Sequence, residues 1–143
     1  MRIVIMGCGR VGSHLAAQLY REGHEVSVID VSQKSFRRLP DDFQGVTVIG
    51  TGIDEDVLRA AGIEGSDAFV AVTEGDNRNI MAAQVAREIF GVPQVIVRIY
   101  DPGREAIYRE LGLETICPTT VMRSLIQERL AARFGRQSVG RGA

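Results

Sequence analysis

A β-branched run at residues 2–6, RIVIM, breaks directly into Gly7-Cys8-Gly9-Arg10-Val11-Gly12, and an amphipathic stretch begins inside that glycine loop. Few folds accommodate so sharp a turn from strand to helix. In such a turn Gly7 permits the tight bend, Gly9 lets a phosphate approach the backbone and Gly12 lets the helix pack close to the strand. The helix N-terminus adds N–H donors and a partial positive charge. An acid, Asp30, stands eighteen positions past Gly12, at the end of the next β-branched run. There it would accept hydrogen bonds from a ribose 2′-hydroxyl and repel a 2′-phosphate, favouring NAD or a plain adenosine nucleotide over NADP. Lys34, Arg37 and Arg38 nearby weaken that preference.

The rest of the chain repeats the opening. Strand candidates at 2–6, 25–30, 46–49, 68–73, 94–100 and 114–117 alternate with helical stretches. Residues 11–22 carry Val11, Leu15 and Leu19 at four-residue intervals, which predicts one face packed on a sheet. Residues 77–90 are rich in alanine, with Ile80, Met81, Val85 and Ile89 apolar, and 104–111 follow Pro102, a residue at home near a helix start. Runs such as IVIMG and AFVAV are apolar at almost every position, as in strands covered by helices on both faces. The expectation is an α/β fold with a Rossmann-like, doubly wound, parallel six-stranded sheet in the order 3-2-1-4-5-6. Its ligand crevice would open at the carboxyl ends of strands 1 and 4. A last stretch, 119–134, places Met122, Ile126, Leu130 and Phe134 every four residues, joined by Val121 and Leu125. This helix either lies back on its own sheet or docks on a second copy. The fold should occupy residues 1–134, with 135–143 a flexible tail.

With 143 residues there is room for one domain, burying roughly two thirds of the surface its unfolded form exposes. A charged share of 24% and a net charge of −1 give no basic bias toward nucleic acid. No apolar run approaches the ~20 residues of a membrane span, and the chain enters a strand with no basic leader, so a cytoplasmic protein is expected. Cys8 and Cys117 lack zinc-ligand partners, and on strands three positions apart, about 14 Å, they should not pair. A helix N-terminus at Cys8 would lower its pKa and make it redox-sensitive; a small residue filling a tight turn is the plainer account.

Arg10 would reach over phosphates and clamp extra negative charge, against the alternative of a solvated arginine in a first helical turn. Arg98 interrupts the apolar run VIVRIY, and a charge there must reach the crevice or a partner. Thr73, Asp76 and Asn79 would line the opposite lip, although Asp76 alternatively only caps the next helix. Neither His14 nor His24 lies near a carboxyl end where a general acid or hydride chemistry would use it. No nucleophile elbow, metal cluster or Walker lysine is present. Catalysis is not expected.

The stretches MGCGRVGSHLA, VSVID, DEDVLRAAGIEGSDAFVAVT, DNRNIMAAQVA, VIVRIYDP and LGLETICPT together make the span from Met1 to about Phe134 resemble the RCK or KTN family, the TrkA-N domain of bacterial potassium-transport regulators. The resemblance implies a non-catalytic, cytosolic nucleotide-sensing subunit that binds NAD(H) or ATP, ADP or AMP. By that likeness Gly7, Cys8, Gly9, Arg10, Val11 and Gly12 form the phosphate loop, Asp30 binds the adenosine ribose, and Arg10 and Arg98 meet phosphate. Thr73 and Asn79 match positions lining the cleft. Thr51 stands where the family often carries an acid after a glycine, so an acidic contact to adenosine is missing. The likeness further implies a homodimer through the final helix, with a higher ring possible. Its partner would be a membrane potassium channel, transporter or antiporter that holds it at the inner face of the membrane. The family's smaller carboxyl-terminal ligand domain is not expected within these 143 residues. Two other readings stand beside this one: the NAD-binding half of an oxidoreductase lacking its substrate domain, and an interaction module that has lost its ligand.

Overall fold

The computed structural model describes residues 1–141. Six parallel strands form one sheet in the order β3-β2-β1-β4-β5-β6, as the alternating pattern predicts. The strands are β1 (Arg2–Met6), β2 (Glu25–Asp30), β3 (Val46–Ile49), β4 (Ala68–Ala71), β5 (Gln94–Arg98) and β6 (Glu114–Ile116). Helices α1 (Arg10–Arg21), α2 (Glu55–Ala60), α3 (Asp76–Gln84), α4 (Pro102–Glu110) and α5 (Pro118–Arg141) join or follow them. Strands β4, β5 and β6 stop one or two residues short of the expected ends. The residues released, Val72 and Thr73 above all, become the rim of the crevice.

Side chains alternate across each strand, so the core divides into two layers. Val4, Met6, Ile29, Phe69 and Val97 meet Leu58 of α2 and Ile80, Ala82 and Ala83 of α3. Ile3, Ile5, Val26, Val28 and Val70 meet Ala16 of α1, with Phe36 at the margin. The crossover from β2 to β3 contains no α-helix, only the 3-10 turn Gln33–Arg38. Neither it nor the short α2 stands out by apolar periodicity. Beyond α3 the chain passes through a π-helical segment, Val85–Ile89.

Three helix faces differ from the expected pattern. In α1 the buried residues are Gly12, Ser13, Ala16 and Ala17, while Val11 is 52% exposed and Leu15 and Leu19 sit at the edge. The glycine loop holds α1 so close to β1 that small residues, not large ones, fill the contact. Met81 in α3 and Ile89 at the end of the π-helical segment point outward. The final helix does not lie back on the sheet: Val121, Met122, Leu125, Ile126, Leu130 and Phe134 are each 48–62% exposed. It also runs past Phe134 to Arg141, so the stretch expected as a tail begins on helix, and residues 142–143 lie outside the described residues. No helix among the described residues is long and apolar enough to cross a membrane.

Candidate functional site

Where the strand order reverses between β1 and β4, the carboxyl ends leave a crevice of about 660 Å³. Its shape begins with backbone sterics. Gly7 adopts φ 111°, and a Cβ there would lie 2.9 Å from the Val72 carbonyl carbon and oxygen. A Cβ on Gly12 would collide with the Gly7 carbonyl. Gly9, by contrast, faces open space: nothing lies within 4 Å of where its Cβ would stand. The loop therefore leaves at Gly9 a cradle that a side chain would fill and a phosphate oxygen fits. Gly9 also begins α1 without any side-chain cap, and Arg10 and Val11 of the first turn line the crevice beside it. An uncapped N-terminus leaves amide donors for an anion.

Asp30 closes the β2 end. Its Oδ2 accepts from the Cys8 amide at 2.8 Å and its Oδ1 from the Ser32 amide at 2.9 Å. The carboxylate thus orients the glycine loop, and each oxygen keeps a lone pair for a ribose hydroxyl. Thr51 and Gly50 line the same end. Ser32, Ser35 and Arg38 line it too; of these the sequence marks only Arg38, as a charge near Asp30. Their spacing is the signal: the 3-10 turn has three residues per turn, so positions 32, 35 and 38 share one edge. Arg38 Nη1 donates to the Cys8 carbonyl at 3.4 Å, reaching from that turn to the loop.

On the β4 and β5 side, Arg98 Nη2 donates to the carbonyls of Val72, at 2.6 Å, and Thr73, at 2.9 Å. Its guanidinium lies 4.8 Å from the centre of the Tyr100 ring, and its Nε is buried with no partner. Arg98 does reach the crevice, held there by carbonyl oxygens rather than by a carboxylate. Arg78, Glu74 and Tyr100 complete this lip. Four arginines, at 10, 38, 78 and 98, thus line the crevice against two carboxylates, Asp30 and Glu74. Among the described residues none of the four guanidiniums forms an ion pair. A cleft with uncompensated positive charge favours an anionic ligand.

Of the expected site residues, the structure brings Gly7, Gly9, Arg10, Val11, Asp30, Thr51, Thr73 and Arg98 to the crevice wall. Cys8, Gly12 and Asn79 stand behind it. Asn79 is fully buried, and its amide is spent inside the protein. Oδ1 accepts from the Thr73 amide (3.0 Å) and hydroxyl (2.6 Å), and Nδ2 donates to the Thr73 (2.9 Å) and Arg98 (3.0 Å) carbonyls. Asp76 likewise faces away, accepting from the amides of Tyr100 (2.8 Å) and Asp101 (3.1 Å) and so tying the loop after β5 to α3. Cys8 has no exposed surface, and burial first, then the Asp30 charge, push its thiol up to about 11. Both disfavour the thiolate at neutral pH and support the plainer account of Cys8 as a small residue in a tight turn. Both cysteines are unpaired.

Comparison with known proteins fits this geometry. The TrkA-N domain family matches residues 3–118. A Trk system potassium uptake protein TrkA of Streptomyces coelicolor is 59% identical over 116 residues, 81% of this chain and 52% of the relative. A TrkA homolog of Pyrococcus abyssi is 37% identical over 111 residues, 78% of this chain and 49% of the relative. The chain thus spans about half the length of these curated relatives. Among solved structures, the TrkA-N domain of the Escherichia coli inner membrane protein ybaL superposes with a TM-score of 0.79 at 20% identity, covering 90% of this chain and 96% of that one. GsuK bound to ADP gives 0.75 at 22% identity, covering 92% and 34%, and the GsuK channel bound to NAD gives 0.68 at 19%, covering 82% and 21%. At these identities the solved structures speak for the fold alone. The family match and the two curated relatives carry the conclusion: this chain belongs to the TrkA-N domain family.

Proposed function

We propose that the chain is a non-catalytic nucleotide-sensing domain of a potassium-transport regulator. One observation carries the reading: a ribose-height carboxylate, an uncapped helix N-terminus at an open glycine and guanidiniums that form no ion pair among the described residues share a single crevice. That combination suits an adenine nucleotide or NAD(H), with the ribose on Asp30 and phosphate at Gly9, Arg10 and Arg98. The names of the relatives, Trk system potassium uptake proteins, point to a membrane potassium channel, transporter or antiporter as partner. Neighbours of the same fold are described with ADP and with NAD bound.

The exposed apolar stripe of α5 supports a homodimer through that helix, with larger rings built from dimers. The sheet adds to it. The Thr115 hydroxyl bonds Glu105 of α4, so Ile116 points to the opposite face, where it is 49% exposed. Nucleotide would act by favouring one dimer geometry over another, which requires different affinities for the two. The domain would work at the inner face of the membrane, held by its partner.

Thermal melts with ATP, ADP, AMP, NAD, NADH and NADPH test the reading. A ligand at about 100 times its dissociation constant adds about 2.7 kcal/mol, which raises the melting temperature of a domain this size by roughly 5–10 °C. Adenosine nucleotides or NAD(H) should shift the melt and NADPH should not, because Asp30 opposes a 2′-phosphate. If none of the six moves it, the crevice is not a nucleotide site and the proposal is wrong.

A further inference from the structure

Across the crevice the ligand has a direction. Asp30 and Thr51 mark the adenosine end, Gly9 and Arg10 take the first phosphate, and whatever follows lies against β4 and β5. In a dinucleotide the second phosphate comes next, and the second ribose and the nicotinamide follow it along the same lip. Here that lip holds Arg98 and Arg78, with Glu74 as its one carboxylate.

Arg78 is placed by its neighbour Gly75. A Cβ on Gly75 would lie 2.8 Å from Arg78 Nε, 3.2 Å from Nη2 and 3.4 Å from Cζ. The backbone does not require glycine at this position: its φ of −101° and ψ of 115° suit any residue. What the missing side chain provides is room for the guanidinium to fold back over the loop. Arg78 and Glu74 make no ion pair among the described residues, and Arg98 is held by carbonyl oxygens and the Tyr100 ring rather than by a carboxylate.

Resting on the nucleotide-site reading above, we infer that the Gly75–Arg78 pair selects for the length of the phosphate chain. The ligand it favours is a nucleoside di- or triphosphate over AMP or NAD⁺. Two planar guanidiniums beyond the first phosphate suit further phosphoryl oxygens, which they bind bidentately. The nicotinamide ring of NAD⁺ carries a positive charge into the same space and meets two cations. Arg10 serves the first phosphate, at the loop; Arg98 and Arg78 meet what comes after, and of the two it is Arg78 whose position rests on Gly75.

Calorimetric titration of the whole chain with AMP, ADP, ATP, NAD⁺ and inorganic tripolyphosphate tests this, on the wild type and on Arg78→Gln and Gly75→Ala. The wild type should bind ADP and ATP about tenfold or more tighter than AMP, the scale of one charge-assisted contact. Both variants should lose most of that ratio while AMP affinity stays the same, and tripolyphosphate binding should weaken in parallel. Gly75→Ala displaces only the end of a flexible side chain, so its melting temperature should match the wild type. An unchanged ATP-to-AMP ratio in both variants, equal loss for AMP and ATP, or NAD⁺ binding tighter than ATP overturns the inference alone. Failure of every adenine nucleotide to bind the wild type overturns the functional reading with it.

Discussion

On the β1 and β2 side of the crevice, shape comes from atoms that are absent; on the β4 and β5 side, it comes from a buried amide whose every hydrogen-bonding position is used. Gly12 leaves no space for a side chain between α1 and the loop, and Gly7 none between the loop and the Val72 backbone. Asn79, across the crevice, makes four hydrogen bonds that join Thr73, in the rim just past β4, to Arg98, at the end of β5. The first lip rejects additions and the second rejects removals. Both rules come from the same demand, that backbone near a ligand be rigid without filling the ligand's space.

The largest effect should come from adding one carbon to the first lip. Gly12→Ala places a Cβ into the Gly7 carbonyl, and both groups are backbone, so neither moves without shifting α1 or β1. Inside a helix the change from glycine to alanine ordinarily gains about 0.5–1 kcal/mol. Here the sign should reverse, to a loss of at least about 3 kcal/mol, with nucleotide-induced stabilisation gone as well. Urea denaturation measures it. A variant as stable as the wild type would show that α1 has slack against the strand, and the account of this lip would fail.

Removing the amide from the second lip should come next. Asn79→Ala takes the partner from the Thr73 amide and from the Arg98 carbonyl, while the Thr73 carbonyl keeps its bond from Arg98 Nη2, for a cost of about 2 kcal/mol. Arg98 also loses the order of the carbonyl that follows its side chain, so ADP affinity should fall along with stability. If stability drops while ADP binding holds, the amide is a fold element only, and the two lips differ less than the geometry implies.

The strand order and the positions of Gly7, Gly9, Asp30 and Arg98 were legible because each breaks a local pattern: a glycine between strand and helix, an acid closing a β-branched run, an arginine inside an apolar one. Packing distance was not legible. Four-residue spacing drew attention to Val11, Leu15 and Leu19, yet the close approach that Gly12 permits buries Ser13 and Ala16 instead. Nor was it evident that Asn79 would spend its amide inward, since its partners lie six and nineteen residues away. Ser32 and Ser35 were missed, and Arg38 was noted only as a charge near Asp30, because they obey a period of three in a segment that shows no apolar pattern. Arg78 carried no pattern of its own; only the space over Gly75 marks it.

The smallest effect concerns Cys8, whose side chain fills the first lip from behind. Its thiol ionises in the fold at about 11, against an ordinary value of 9.0, because burial and the Asp30 charge both disfavour the thiolate. Below pH 9 the thiol is protonated whether the chain is folded or not, and the full stability is present. Above it the unfolded chain releases a proton that the folded one keeps, so stability falls as the pH rises toward about 11. Cys8→Ala has no such proton. The difference in unfolding free energy between wild type and Cys8→Ala, measured at pH 8 and again at about pH 10, should therefore move against the wild type at the higher pH. Other groups that titrate there cancel in the comparison. A difference that stays constant would mean that water reaches the sulfur, and that this lip is not closed behind the loop as tightly as Gly7 and Gly12 require.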